Sequence, residues 1–335
     1  MNDNIEEKKQ KKTVKQKIFK IIKIILLIIL GFILFYIVFN LCCSVYENVK
    51  FNSYKYGKEL DINGHKMVVS VTGENNNSTL ILLTGHSSPS PVIHYKPFTE
   101  PLSEKYKVVV LEPFGYGLSD VLDPNSNERT LKNVVTELHT AVEQLGIKKY
   151  YLVGHSLGGM YALHWSNTYP DEVLGYVGLD ATVDVFTHEE IKKNYDIEKK
   201  IGWLNFVGIQ RMMSLFNKKN LFLPLYSNYD YSDKEVEMFR IIALKRFFNK
   251  LVTNEMYLLG DNLDQLKGVK IPETIPSINY ICSDNVESIP KWKDLHIEMG
   301  HNSTTNEVVE LKGGHLFFYV DNLETVKTKF DTWIV

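Results

Sequence analysis

Cysteine is nearly absent from this chain: there are three in 335 residues, and only Cys282 lies in the long C-terminal part. No disulfide can close inside that part, so burial alone must hold it, which a stretch of roughly 285 residues can supply. Charge is missing altogether from Ile24 to Tyr46. A run of about 23 residues at ~1.5 Å each just spans a hydrocarbon core of ~30 Å. No small-residue cleavage pattern follows this run, and it exceeds the ~7–15 apolar residues of a signal peptide. An uncleaved transmembrane helix over 24–46 is therefore expected. The lysines before it predict a cytoplasmic N-terminal tail (1–23) and an extracytoplasmic body. Cys42 and Cys43 fall at the membrane edge, where acylation is an open option.

Basic charge is scarce beyond the start. Residues 1–23 hold eight Lys against three acidic residues, whereas the remainder has 30 basic against 37 acidic. That balance excludes nucleic acid as the partner of the body. Histidines with metal-ligand spacing are also lacking and Cys282 stands alone, so neither a metal nor another cofactor is expected.

What is present is alternation. "KELDINGHKMVVSVTG" alternates polar and apolar residues around Asn63-Gly64 and predicts a β-hairpin. "STLILLTG", "YKVVVLEPFG", "KKYYLVGHS" and "VLGYVGLDA" are short apolar runs, as strands buried on both faces require. Between the second and third of these, Leu131, Val134, Val135, Leu138, Val142 and Leu145 keep helical spacing, and Gly146 stops the helix. From Val185 to Gly268 the rhythm becomes helical only, and strand–helix alternation then resumes to the end. This order predicts a mostly parallel sheet flanked by helices with a helical lid inserted at 185–268.

One stretch carries chemistry. In "YYLVGHSLGG" Ser156 stands where strand becomes helix, between Gly154 and Gly158. Gly-x-Ser-x-Gly in a strand–turn–helix context is a nucleophile elbow. The glycines leave room where a Cβ would crowd the neighbouring elements, and the helix N-terminus favours developing negative charge. A helix cap is the plainer role for a serine there, but the context favours a nucleophile.

With "LLTGHSSP", "EPFGYGLSD", "GHSLGG" and "LKGGH" in this order, residues 55–335 resemble the α/β-hydrolase fold superfamily. The resemblance implies an eight-stranded-type sheet with the lid after the sixth strand, and a Ser, acid, His order along the chain. It places the histidine at His315, with His301 in reserve. For the acid it favours Asp284, after "INYICSD"; Asp180 in "GLDAT" is the alternative and Asp264 a distant third. Leu157 and His86 would give the two N–H groups of the oxyanion hole, with Thr84 standing where the family usually has His. His155 is expected to be a packing or hydrogen-bonding neighbour. The implied reaction is cleavage of a carboxylic ester, or a related small-molecule acyl bond bearing an apolar group, through an acyl-enzyme. Aromatic and long apolar lid residues (Phe186, Trp203, Phe206, Met213, Phe216, Phe222) are expected in the lid core rather than against substrate. Two alternatives stay open: a proline-iminopeptidase-like aminopeptidase, with Glu189, Glu190 or Asp184 holding the amine, and a non-catalytic membrane-tethered binding protein. Ser156 speaks against epoxide or haloalkane hydrolysis, which needs a carboxylate at the elbow.

Overall fold

The structure, a computed structural model, describes residues 2–217, 224–300 and 305–334, with side chains from residue 15. Two compact units emerge, Met1–Ser53 and Tyr54–Val335. The first is one helix, α1 (Asn2–Ser53). Its apolar part is long enough to cross a membrane, with a mean hydropathy of 3.1 and none of that window buried. By length and composition, a single membrane span and a signal sequence both fit it.

The second unit is built on eight strands: β1 (Lys58–Ile62), β2 (His65–Thr72), β3 (Thr79–Leu83), β4 (Lys107–Glu112), β5 (Tyr150–His155), β6 (Val173–Leu179), β7 (Ser277–Cys282) and β8 (Asn306–Leu311). They form one sheet in the order β1-β2-β4-β3-β5-β6-β7-β8. The β1–β2 hairpin is antiparallel and β2 pairs antiparallel with β4; every later pairing is parallel. Asn63 (φ 56°) and Gly64 (φ 81°) supply the left-handed pair that a two-residue hairpin turn needs.

Alternation along the strands sorts side chains to two cores. Ile81, Val109, Leu152, Tyr176 and Ile281 face one side. Leu80, Leu82, Val108, Val110, Val153 and Val177 face the other. The helices are α2 (Pro91–His94), α3 (Lys96–Leu102), α4 (Leu131–Gln144), α5 (Leu157–Thr168), α6 (His188–Phe206), α7 (Ile209–Phe216), α8 (Asp233–Arg246), α9 (Lys250–Gln265), α10 (Ser283–Ser288), α11 (Trp292–Met299), α12 (Phe318–Asp321) and α13 (Leu323–Trp333). The α4 stripe Leu131, Val134, Val135, Leu138 and Val142 is buried on the first core. Phe98 of α3 and Phe330 of α13 close the second. Burying each such side chain contributes about 1.5–3 kcal/mol. Helices α6 to α9 lie between β6 and β7, the insertion that the break in rhythm announced.

Candidate active site

Ser156 sits at the C-terminal end of central strand β5 with φ 51° and ψ −122°, a region that costs a non-glycine residue about 1–3 kcal/mol. The surroundings hold it there. Its N–H donates to the Leu179 carbonyl at 3.1 Å, and its carbonyl accepts from Gly159 and Thr182, both at 2.9 Å. A Cβ on Gly158 would lie 2.2 Å from the Leu83 carbonyl oxygen, and one on Gly154 2.6 Å from that of Gly158. A third glycine, Gly159, is needed as well, because a Cβ there would meet Ala181 Cβ at 2.3 Å.

His315 lies in the loop between β8 and α12, and its Nδ1 is 2.5 Å from Asp180 Oδ2. Asp180, at the end of β6, is fully buried and held at φ 50°. Its Oδ1 also accepts from Trp292 Nε1 (2.7 Å) and the Cys282 N–H (3.1 Å), and its Oδ2 from Asn285 Nδ2 (2.6 Å). Burial works against the charged carboxyl, but the bond to His315 and the further donors outweigh it and hold Asp180 below the usual carboxylate range.

The expectation that Asp284 serves His315 is thereby corrected. Strand β7 ends at Cys282, and Asp284 falls two residues later in the first turn of α10 with its side chain exposed. The next residue, Asn285, turns inward to Asp180 instead. Asp264 is exposed at the end of α9, bonded to His188 and Lys267. His301 lies outside the described residues. Among the described residues no hydrogen bond of 3.5 Å or less joins Ser156 to His315. Such bonds are often long without substrate.

His86, Ser156 and Leu157 line one cavity of about 160 Å³, with Thr182, Phe186, Ile191, Met256 and Leu259 as further walls. As the first residue of α5, Leu157 has an N–H without an intrahelical acceptor. In the β3 loop Tyr95 supplies the internal bonds that Thr84 left open: its hydroxyl accepts from the Gly85 N–H at 3.0 Å and from Thr84 Oγ1 at 3.5 Å.

Tyr95 also continues a directed chain. Its hydroxyl is 2.8 Å from His155 Nδ1, and His155 Nε2 is 3.0 Å from the His315 carbonyl oxygen. A carbonyl only accepts, so Nε2 carries the His155 proton and Tyr95 donates to Nδ1. Burial first, and the charge of neighbouring His315 second, press His155 down to about 3, so its ring stays neutral. The loops bearing Gly85 and His315 are thus tied through two side chains, with His155 as a hydrogen-bonding neighbour of both. His155→Leu is expected to lower kcat by about 10- to 100-fold through misplacement of His315. Stopped assays on the folded variant, with His155→Gln keeping a donor toward His315, check this; equal loss in both variants would count against the tie.

Two further acids meet His86 here, and one of them, Glu255, lines the cavity. His86 Nε2 is 2.9 Å from Glu198 Oε1 on α6, and its Nδ1 is 3.3 Å from Glu255 Oε2 on α9. Glu255 also accepts from Tyr116 and lies 3.6 Å from buried Arg129. Both glutamates interrupt apolar helical spacing, Ile191–Glu198 and Leu251–Glu255–Leu259, and that was their available signal. Asp184, Glu189 and Glu190, the acids expected to hold an amine in the aminopeptidase alternative, are exposed, and Glu190 closes the capping box of α6. Burial alone would depress His86, but Glu198 and Glu255 overturn this and lift it to about 10. A raised histidine stabilises fully below its unfolded pKa near ~6.5, and that contribution is lost as pH rises toward 10. Thermal stability is therefore expected to decline between these values in the wild type and to decline less in His86→Gln; parallel melting curves across that range would contradict it.

The chain matches the family model of the alpha/beta hydrolase fold over residues 79–321 and belongs to that family. Uncharacterized protein YbdG of Bacillus subtilis is 23% identical over 276 residues, 78% of this chain and 81% of that protein. A cis-3-alkyl-4-alkyloxetan-2-one decarboxylase of Shewanella oneidensis is 28% identical over 115 residues, 34% of this chain and 35% of that protein. Among solved structures, epoxide hydrolase VrEH1 from Vigna radiata matches with TM-score 0.60 and 17% identity, over 83% of this chain and 97% of its own. The enol-lactonase from Burkholderia xenovorans LB400 matches with TM-score 0.58 and 13% identity, over 83% and 99%. Family membership supports a hydrolase.

Proposed function

We propose that the chain is a membrane-anchored serine hydrolase cleaving a carboxylic ester through an acyl-enzyme on Ser156. The observation that carries this reading is the 2.5 Å contact of His315 with buried Asp180, on the strand next to the elbow that bears Ser156. With Nδ1–H committed to Asp180, Nε2 of His315 is left as the base. It takes the Ser156 proton as Oγ attacks the carbonyl carbon; the oxyanion accepts from the Leu157 and His86 N–H groups; the proton then passes to the leaving alcohol. Water repeats the attack and frees the acid. A serine at the elbow suits this chemistry, whereas epoxide opening in the same fold needs a carboxylate there. The apolar length of α1 suits a membrane anchor, and the lysines that precede the span support a cytoplasmic N-terminus with the body extracytoplasmic.

The cavity walls Leu157, Phe186, Ile191, Met256 and Leu259 favour an apolar acyl group. At ~30 Å³ per water volume, a space of about 160 Å³ holds roughly five, which suits a short chain. With p-nitrophenyl esters, kcat/KM is expected to rise about fourfold per methylene, as ~0.8 kcal/mol each implies, and to fall once the cavity is full, well before palmitate. A flat or steadily rising series would contradict the assignment of this cavity to the acyl group. The aminopeptidase reading keeps one observation in its favour, the buried Glu198 and Glu255, although His86 already pairs with both. Turnover of proline-naphthylamide above that of the esters would promote it. A folded protein that turns over neither would be a tethered binding protein.

A further inference from the structure

The lid aromatics expected in a core are largely not in one. Trp203 is 62% exposed, Phe206 86%, Met213 60% and Phe216 87%. Phe222 lies outside the described residues. Trp203 and Phe206 stand at the end of α6, and for Met213 and Phe216 the reason is the orientation of α7, which is reversed relative to a helix packed on a soluble core. Its polar residues Gln210 and Ser214 are buried, and Ser214 Oγ accepts from Arg240 Nη1 at 3.1 Å while its apolar residues face out. Within 199–217 there is no acidic residue, and exposed Lys199 and Lys200 precede Trp203 by one turn of α6.

We infer that the outer face of the end of α6 and of α7 is a docking surface for an anionic lipid bilayer. An outward apolar face carrying Trp and Phe with a basic border is the pattern of a helix that lies in a membrane interface, where lysines meet anionic headgroups. The bilayer is favoured over a second copy of the chain because the basic border would face its own like charge across a two-fold contact. It also rests on the reading of α1 as an anchor, which keeps the body at a membrane. The consequence is functional: Ile191 and Asn194, on the same helix α6, line the cavity at Ser156, so docking sets the roof of that cavity on the lipid.

The test uses the full chain in phosphatidylglycerol vesicles whose acyl chains are brominated near the headgroup, with tryptophan emission as the readout. Of the four tryptophans, Trp165 and Trp292 are buried and Trp333 is half-buried against Tyr151, so Trp203 should provide most of the quenchable emission. Quenching is expected in the wild type and should be largely lost in Trp203→Phe. It should weaken in phosphatidylcholine and in Phe206→Ser/Phe216→Ser, which still floats with the vesicles and hydrolyses a soluble short ester within about twofold of wild type. Equal quenching with and without Trp203 would overturn the docking surface, as would a dimer in detergent that the double serine variant dissolves. Failure of every form to float would instead remove the anchor, and soluble-ester turnover reports separately on the reading of the active site.

Discussion

Asp180→Asn is expected to lower kcat by about ten-thousand-fold, roughly 5.5 kcal/mol of transition-state stabilisation, with the fold intact. Oδ1 of Asp180 accepts from two fixed donors, Trp292 Nε1 and the Cys282 N–H. An asparagine must present its carbonyl oxygen to those two, which turns its amide nitrogen toward His315 Nδ1. That nitrogen donates, so Nδ1 must accept, and the His315 proton moves to Nε2. The group that should take the Ser156 proton then already holds one. Asp284→Asn changes an exposed carboxyl without a bond to His315, and its kcat is expected to stay within about threefold of wild type. Steady-state kinetics on both variants, with circular dichroism to confirm folding, decide the matter. A large loss in Asp284→Asn with Asp180→Asn active would reverse the acid assignment.

Ser156→Ala is expected to reduce ester turnover by about a million-fold, leaving the residual rate that an oxyanion hole and substrate binding provide. Alanine keeps the Cβ and the backbone bonds to Leu179, Gly159 and Thr182, so the elbow itself survives. A melting temperature close to wild type should accompany the loss. Retained turnover in a folded Ser156→Ala protein would mean that another residue attacks the substrate.

The elbow was legible in the sequence because its constraints are local. A strand, a serine between glycines and a helix follow one another along the chain, and the close approach at Gly154 is to Gly158 and Gly159 of the adjoining helix, although that at Gly158 is to Leu83 of β3. The choice of acid was not local. Strands β6 and β7 are parallel neighbours with Leu179 opposite Tyr280, so Asp180 and Asp284 lie near adjacent strand ends. Which one meets His315 depends on where β7 stops and α10 begins, and the sequence does not mark that to within two residues. Glu198 and Glu255 were hidden for a related reason: an acid on a helix reads as solvated until its partner, here His86 from a distant loop, is placed beside it. The lid aromatics misled because apolar spacing defines a helical face without saying what that face meets. Ser214 and Gln210 turn inward on α7, and the apolar residues are left outside.

Labelling the full chain with a fluorophosphonate and mapping the modified peptide decides whether Ser156 is the nucleophile. A single adduct on Ser156 is expected, absent in Ser156→Ala and formed far more slowly in Asp180→Asn. An adduct elsewhere, or none on folded wild-type protein, would contradict it.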